Sequence, residues 1–182
     1  MWRASVAAAL LASLLATPTR AGCDGVREEC AAAVEADSYV SADLAVQPIR
    51  LSGGSICGVE LALWAGTFGD SAQVATVHLQ TSSIPGVGVI AEADQDLVGR
   101  GSFFFPLVAD LPAETTLYYL AVSADGDRAP LWMVGDGCVT LGAVVAGWSQ
   151  PWSMVFRVLT TDVLPLHQSS WGRIKAGYGV RK

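Results

Sequence analysis

Short apolar runs of strand length recur from Ser52 to Val122, broken by Gly-Asp, Pro-Gly, Gly-Arg-Gly and Leu-Pro-Ala-Glu-Thr. Two packed antiparallel sheets need that rhythm, because each strand must turn within a few residues and bury one face. Cys57, Val59, Leu61 and Leu63 alternate with Gly58, Glu60, Ala62 and Trp64, a half-buried strand of period two. In Gln73–Thr81, Val77 and Leu79 face one side and His78 and Gln80 the other. Ser82 to Gly86 is turn chemistry, with Pro85 fixing φ and Gly86 free to adopt positive φ. Thr115–Val122 (TTLYYLAV) is unbroken and rich in β-formers, as a central strand is. Pro48 in Leu44–Leu51 and Pro106 in Ser102–Val108 each lack a ladder donor and point to an edge or a strand end. Val87–Ala93, Pro130–Val134, Cys138–Ala146 and Trp152–Thr160 bring the expected total to about ten strands.

The ends read differently. Met1-Trp2-Arg3, the apolar run Ala4–Ala16 and the small residue Ala21 form a secretory signal peptide pattern over residues 1–21. Thirteen helical residues rise only about 20 Å, short of a bilayer core of roughly 30 Å, so no transmembrane span is expected in the mature chain. Residues 22–43 read as a lead segment with a short N-terminal helix, since Val26, Cys30 and Val34 recur every four residues among charged neighbours. A β-sandwich is expected over 44–162. Residues 163–182 form a basic C-terminal tail, in which Trp171, Ile174 and Tyr178 share a face beside Arg173 and Lys175. The expected fold is therefore all-β: an antiparallel two-sheet, jelly-roll-like β-sandwich carrying a short helix and a short tail.

Composition sharpens this. Of 182 residues, 52% are hydrophobic and 15% charged, enough apolar surface for a sizeable core in one domain. Loss of residues 1–21 removes Arg3 and Arg20 and no acid, leaving nine bases against 17 acids, a net charge of −8. Four of those nine bases lie in the last ten residues, so Gly22–Gly172 carries −12. Such a surface repels phosphate backbones and excludes nucleic acid as a partner of the body. Four cysteines in an exported chain favour two disulfides. Cys23 with Cys30 and Cys57 with Cys138 is the preferred set, the first closing a local loop and the second tying an early strand to a late one. Two alternatives stay open: buried free thiols, and lipidation of Cys23, against which Arg20 stands where an aliphatic residue belongs.

The middle of the chain resembles the β-sandwich modules of bacterial exported proteins called choice-of-anchor domains. The resemblance spans about residues 47–161. It rests on Ile56–Leu63, Val77–Thr81 with Ile84-Pro85-Gly86 and Val89–Ala91, then Phe103–Phe105, Leu111–Leu120, Trp132 and Met154–Val158. It implies a jelly-roll or galactose-binding-like sandwich on an exported protein, extracellular, periplasmic or at the cell surface, with no catalytic residue to carry over. The chain departs from the pattern in having no apolar span after its sandwich.

Candidate chemistry is sparse. His78 and His167 have no acid or nucleophile beside them in a recognisable motif, so no hydrolase is expected and no catalytic residue is assigned. Glu92, Asp94 and Asp96 form a further acidic cluster. Asp125-Gly126-Asp127 and Gly135-Asp136-Gly137 could offer oxygens to calcium, but turn chemistry explains both equally well and no cofactor is expected. Trp132, Trp148 and Trp152 are the candidate ligand-binding residues, because flat exposed rings suit sugar faces and partner surfaces. Alternation, however, sets Trp152 with Met154 and Phe156 in the core. The function expected is a non-catalytic structural or adhesive module contacting a glycan or an envelope component. The alternative is an envelope enzyme or accessory lipoprotein with an unrecognised site.

Overall fold

The computed structural model describes residues 22–30, 38–65, 73–125, 129–135 and 141–161. In chain order the strands are β1 (Gly25–Cys30), β2 (Tyr39–Ser41), β3 (Ala45–Leu51), β4 (Gly54–Trp64), β5 (Gln73–Gln80), β6 (Val89–Leu97) and β7 (Arg100–Phe105). There follow β8 (Ala109–Leu111), β9 (Thr116–Ala124), β10 (Leu131–Gly135), β11 (Val144–Val145), β12 (Trp148–Ser149), β13 (Ser153–Met154) and β14 (Phe156–Thr160). The protein is all-β, two antiparallel sheets packed on each other as in a β-sandwich. The six-stranded sheet runs β12-β11-β3-β9-β5-β6. In the eight-stranded sheet β4 is the spine, with β7 and β8 along one edge and β14 and the start of β10 along the other.

Period-two alternation places the core between the sheets. Val59, Leu61 and Leu63 of β4 meet Ile49, Val77, Leu79, Leu120 and Val122 of the facing sheet in one buried cluster. β9 lies between β3 and β5, the central place its composition predicts. Gln47 is fully buried and bridges the layers: its Oε1 accepts Met154 N–H at 2.7 Å and its Nε2 donates to Leu141 O and Pro48 O, each at 2.8 Å. Ala146 N–H bonds Leu44 O and Arg50 N–H bonds the Glu28 carboxylate, so the even-numbered residues of β3 point away from β9. β11 reaches only Ala45 and Val46, so Pro48 lacks its donor where β3 has no second strand beside it.

The lead segment corrects the expected helix. Gly25–Cys30 is a strand paired antiparallel with β14, and Tyr39–Ser41 is another, paired with β10. An isolated short helix gains little in water, whereas here Glu29 lands opposite Arg157 and Cys30 opposite Phe156. Arg157 then bridges Glu29 at 3.0 Å and Glu60 at 3.3 Å, across the β1-β14-β4 row. Val34 lies outside the described residues.

The preferred disulfide set is also overturned. Cys23 bonds Cys57, with Cα atoms 5.8 Å apart, and Cys30 is disulfide-bonded as well. β1 reaches β4 through β14 alone, which brings the residue ahead of β1 to the start of β4. Cys138, the signal peptide pattern and the basic tail lie outside the described residues. Among the described residues no helix is long and apolar enough to cross a membrane.

Candidate functional site

The outer face of the six-stranded sheet carries the groups with chemical potential. Register sets Glu92, His78, Ala121, Val46, Val144 and Ser149 in one row across all six strands. Ala121 and Val46 are buried although they point away from the core between the sheets. The loop Thr81–Gly88 folds back toward them, so that Ser83–Pro85 and Val46 wall one groove. Gln80 pins that loop: buried itself, it accepts Gly86 N–H at 2.9 Å and donates to the carbonyls of Ser82 and Ile84. Gly86 and Gly88 sit at φ of 75° and 71°, and a side chain at Gly88 would run into the Thr81 hydroxyl.

The groove between this loop and the β11–β12 hairpin has a volume of about 290 Å³. Val46 and Val144 line its sheet side, Ile84 and Pro85 lie opposite, and Leu44 and Asp43 complete it. Ile84 is 61% exposed and Leu44 51%, an apolar rim open to solvent. Ala146 and Gly147 both have positive φ, 48° and 84°, the two-residue I′ turn that joins tightly paired strands. The turn holds Trp148 at the sheet's edge, 76% exposed. Trp148 pairs with Val145, so it belongs to the sheet face opposite the groove.

The three tryptophans therefore part company. Trp132 is fully buried, and its Nε1 donates to Val155 O at 2.9 Å. It leaves the candidate set, because a ring without an exposed face cannot stack on a ligand. Trp152 is half-buried against the core. Trp148 alone presents an open ring, and among the described residues no ring contact joins it to Trp152.

Cross-strand register also assembles what no local motif announced. His78 Nε2 lies 2.9 Å from Ser123 Oγ and His78 Nδ1 lies 3.5 Å from Glu92 Oε2, the connectivity of a Ser-His-Glu relay. The second distance is an ion-pair approach, too long for a hydrogen bond, and the Nδ1 atom is buried without one. Asp125 N–H bonds Val74 O, so the even-numbered residues of β5, His78 among them, direct their backbone groups to β9. Those N–H groups serve the ladder rather than a developing oxyanion. One discoverable signal existed: a hairpin centred on Pro85 sets His78 opposite Glu92 and Thr76 opposite Asp94.

Among ionisable groups, Glu28 is perturbed. Burial pushes its carboxyl above the usual range, while the Arg50 N–H bond and the Arg50 charge pull it partly back. Among the described residues no three His, Cys, Asp or Glu side chains gather as metal ligands. Asp127 and Asp136 lie outside those residues. Compared with protein-family models, curated proteins and solved structures, the chain gives no match.

Proposed function

We propose that this chain is an exported, non-catalytic β-sandwich module of the choice-of-anchor, jelly-roll kind that binds a cell-surface glycan through its β11–β12 hairpin. The observation that carries the reading is Trp148, 76% exposed and held by a tight I′ turn at the free edge of the six-stranded sheet. A flat, rigid ring loses little conformational freedom when it stacks on the apolar face of a sugar. Glycan-array binding of the wild-type protein is expected, with loss of signal in Trp148→Ala while its unfolding midpoint stays unchanged. Equal signals from the two proteins, or none from either, would end the reading.

The Ser123-His78-Glu92 geometry favours a second reading, a serine hydrolase. Its weak point is the oxyanion, since a missing donor alone costs about 3–4 kcal/mol of transition-state stabilisation. A fluorophosphonate probe separates the two. Labelling at Ser123 that disappears in His78→Gln supports the hydrolase, and an unlabelled Ser123 supports the binding module.

A further inference from the structure

β6 is the outer strand of the six-stranded sheet and, at nine residues, a long one. Backbone parity tells which of its groups face outward. Thr81 N–H bonds Gly88 O, so the odd-numbered residues of β5 point toward β6 while the even ones point to β9. Leu79 pairs with Ala91, Val77 with Ala93 and Ala75 with Gln95, which makes those the hydrogen-bonded positions. The N–H and C=O groups of Glu92 and Asp94 and the N–H of Asp96 therefore point off the sheet. Among the described residues nothing meets them, whereas Asp96 O accepts the Gln95 amide at 3.1 Å. An edge of this kind is a template for one more strand.

Side chains select which strand. Glu92, Asp94 and Asp96 all stand exposed on the outer face, Glu92 by 66%. Residues opposite one another on adjacent strands share a face and interact there, so an added strand would set its alternate side chains against three carboxylates. Its other side chains would lie beside Ala91 and Ala93, small residues packed against the core. A second copy of this chain is a poor occupant. Two β6 edges would oppose acid to acid, on bodies that carry −12 over residues 22–172.

We propose that β6 accepts, by strand addition, an extended segment of a partner protein with Lys or Arg at alternate positions and small or apolar residues between them. The acids then have two effects from one placement: they repel self-pairing and they attract the cationic strand. The proposal is independent of the Trp148 hairpin, which sits at the opposite edge of the same sheet.

The probe is a blocked peptide of alternating lysine and valine, with a glutamate-valine peptide and a lysine-proline peptide as controls. Amide hydrogen exchange on the wild-type protein reads the contact directly. In the free protein the amides of Ala91, Ala93 and Gln95 are expected to exchange slowly and those of Glu92, Asp94 and Asp96 quickly. With the lysine-valine peptide the second set should become protected as well. Binding measured by fluorescence anisotropy should weaken roughly tenfold in the charge-free triple variant Glu92→Gln/Asp94→Asn/Asp96→Asn, as three exposed ion pairs of ordinary strength would give. The Trp148→Ala variant should bind the peptide as the wild type does. Unchanged exchange at Glu92, Asp94 and Asp96 would overturn the proposal. So would equal affinity for the lysine-proline peptide, which has no N–H at alternate positions and could bind only by charge. Concentration-dependent self-protection of the same amides without peptide would assign the edge to a second copy and overturn it too.

Discussion

Replacing Gln47 by leucine tests whether the two sheets are joined by a satisfied buried amide. The substitution removes three hydrogen bonds, but the losses are unequal. Leu141 O keeps a bond from Ser153 Oγ at 3.2 Å and is not orphaned. Met154 N–H and Pro48 O lose their side-chain partner, and both residues are buried. Each buried backbone group left unpaired costs about 1–3 kcal/mol, and the extra apolar burial of leucine returns roughly 1 kcal/mol. A net loss of about 2–4 kcal/mol follows, a large part of the roughly 5–15 kcal/mol typical of a domain. Urea unfolding of the oxidised protein measures it as a lower midpoint at constant slope. Gln150→Ala, which removes a 3.1 Å bond to the carbonyl of exposed Trp148, should shift stability by less than about 0.5 kcal/mol. Gln47→Glu adds a sign. The buried carboxylate faces two carbonyl oxygens, so its folded pKa must rise above the unfolded value. Its contribution is then fully present below the unfolded pKa and is lost as pH rises through the folded one, making this variant weaker at pH 7 than at pH 4 relative to wild type. A Gln47→Leu protein as stable as the wild type would refute the account of the sheet junction.

Other expectations follow from the same packing. Removing the Cys23–Cys57 bond, which closes a separation of 34 residues, should cost roughly 4 kcal/mol by loop entropy; peptide mapping that finds Cys23 joined to Cys30 would contradict the bond itself. Glu28, its carboxyl raised mainly by burial, contributes stability below its unfolded pKa that is lost as pH rises through the folded value. Glu28→Gln, able to keep the bond from Arg50 N–H, should therefore gain on the wild type above about pH 5, and stability curves that stay parallel from pH 3 to 8 would count against it. Trp132→Phe should lose about 1–3 kcal/mol through a cavity and the loss of the indole bond to Val155 O, which keeps the 3.4 Å bond from Ala62 N–H, while Trp148→Ala stays within about 0.5 kcal/mol, and equal losses would show the two rings misplaced. Ala146, at a φ of 48°, is strained as a non-glycine residue, so Ala146→Gly should raise the unfolding midpoint by about 1 kcal/mol worth of stability.

Alternation made the inner strands legible, because β4 and β9 each bury one side chain in two against the facing sheet. The same rule failed at β1 for an arithmetic reason. A spacing of four, as from Val26 to Cys30, keeps one face in a helix and in a strand alike, since four is close to one helical turn and is also twice two. Only the pairing with β14, invisible locally, decides between them. The cysteine pairing was hidden by the same step, for it depends on which strand ends the sheet order brings together. Gln47 gave no signal at all, because a glutamine between apolar residues reads as an exposed position until its three partners are placed around it. Of the candidate site, the exposed Trp148 was legible from its place in a short polar loop. The Ser123-His78-Glu92 set joins residues 45 and 14 positions apart and needed the strand register.

The rigid parts of this surface argue for recognition more than for packing. Ile84, Val87 and Trp148 leave 61%, 49% and 76% of their area in water, so none contributes much to folding. Their backbones are nonetheless firmly set. Ile84 lies in a loop fixed through the buried Gln80 amide and through Val87 N–H to Ile84 O at 3.1 Å, and Trp148 follows an I′ turn. A loop needed only to connect β5 to β6 could be short and polar, without a buried amide to hold it. Holding apolar side chains outward in one conformation lowers the ordering entropy that a partner must overcome on binding. Gln80→Ala separates the two roles: the loop loses its anchor while the strands it joins keep their ladders. If the apolar loop serves only folding, its release should leave binding in the groove it walls untouched; if it serves recognition, affinity there should fall further than stability does.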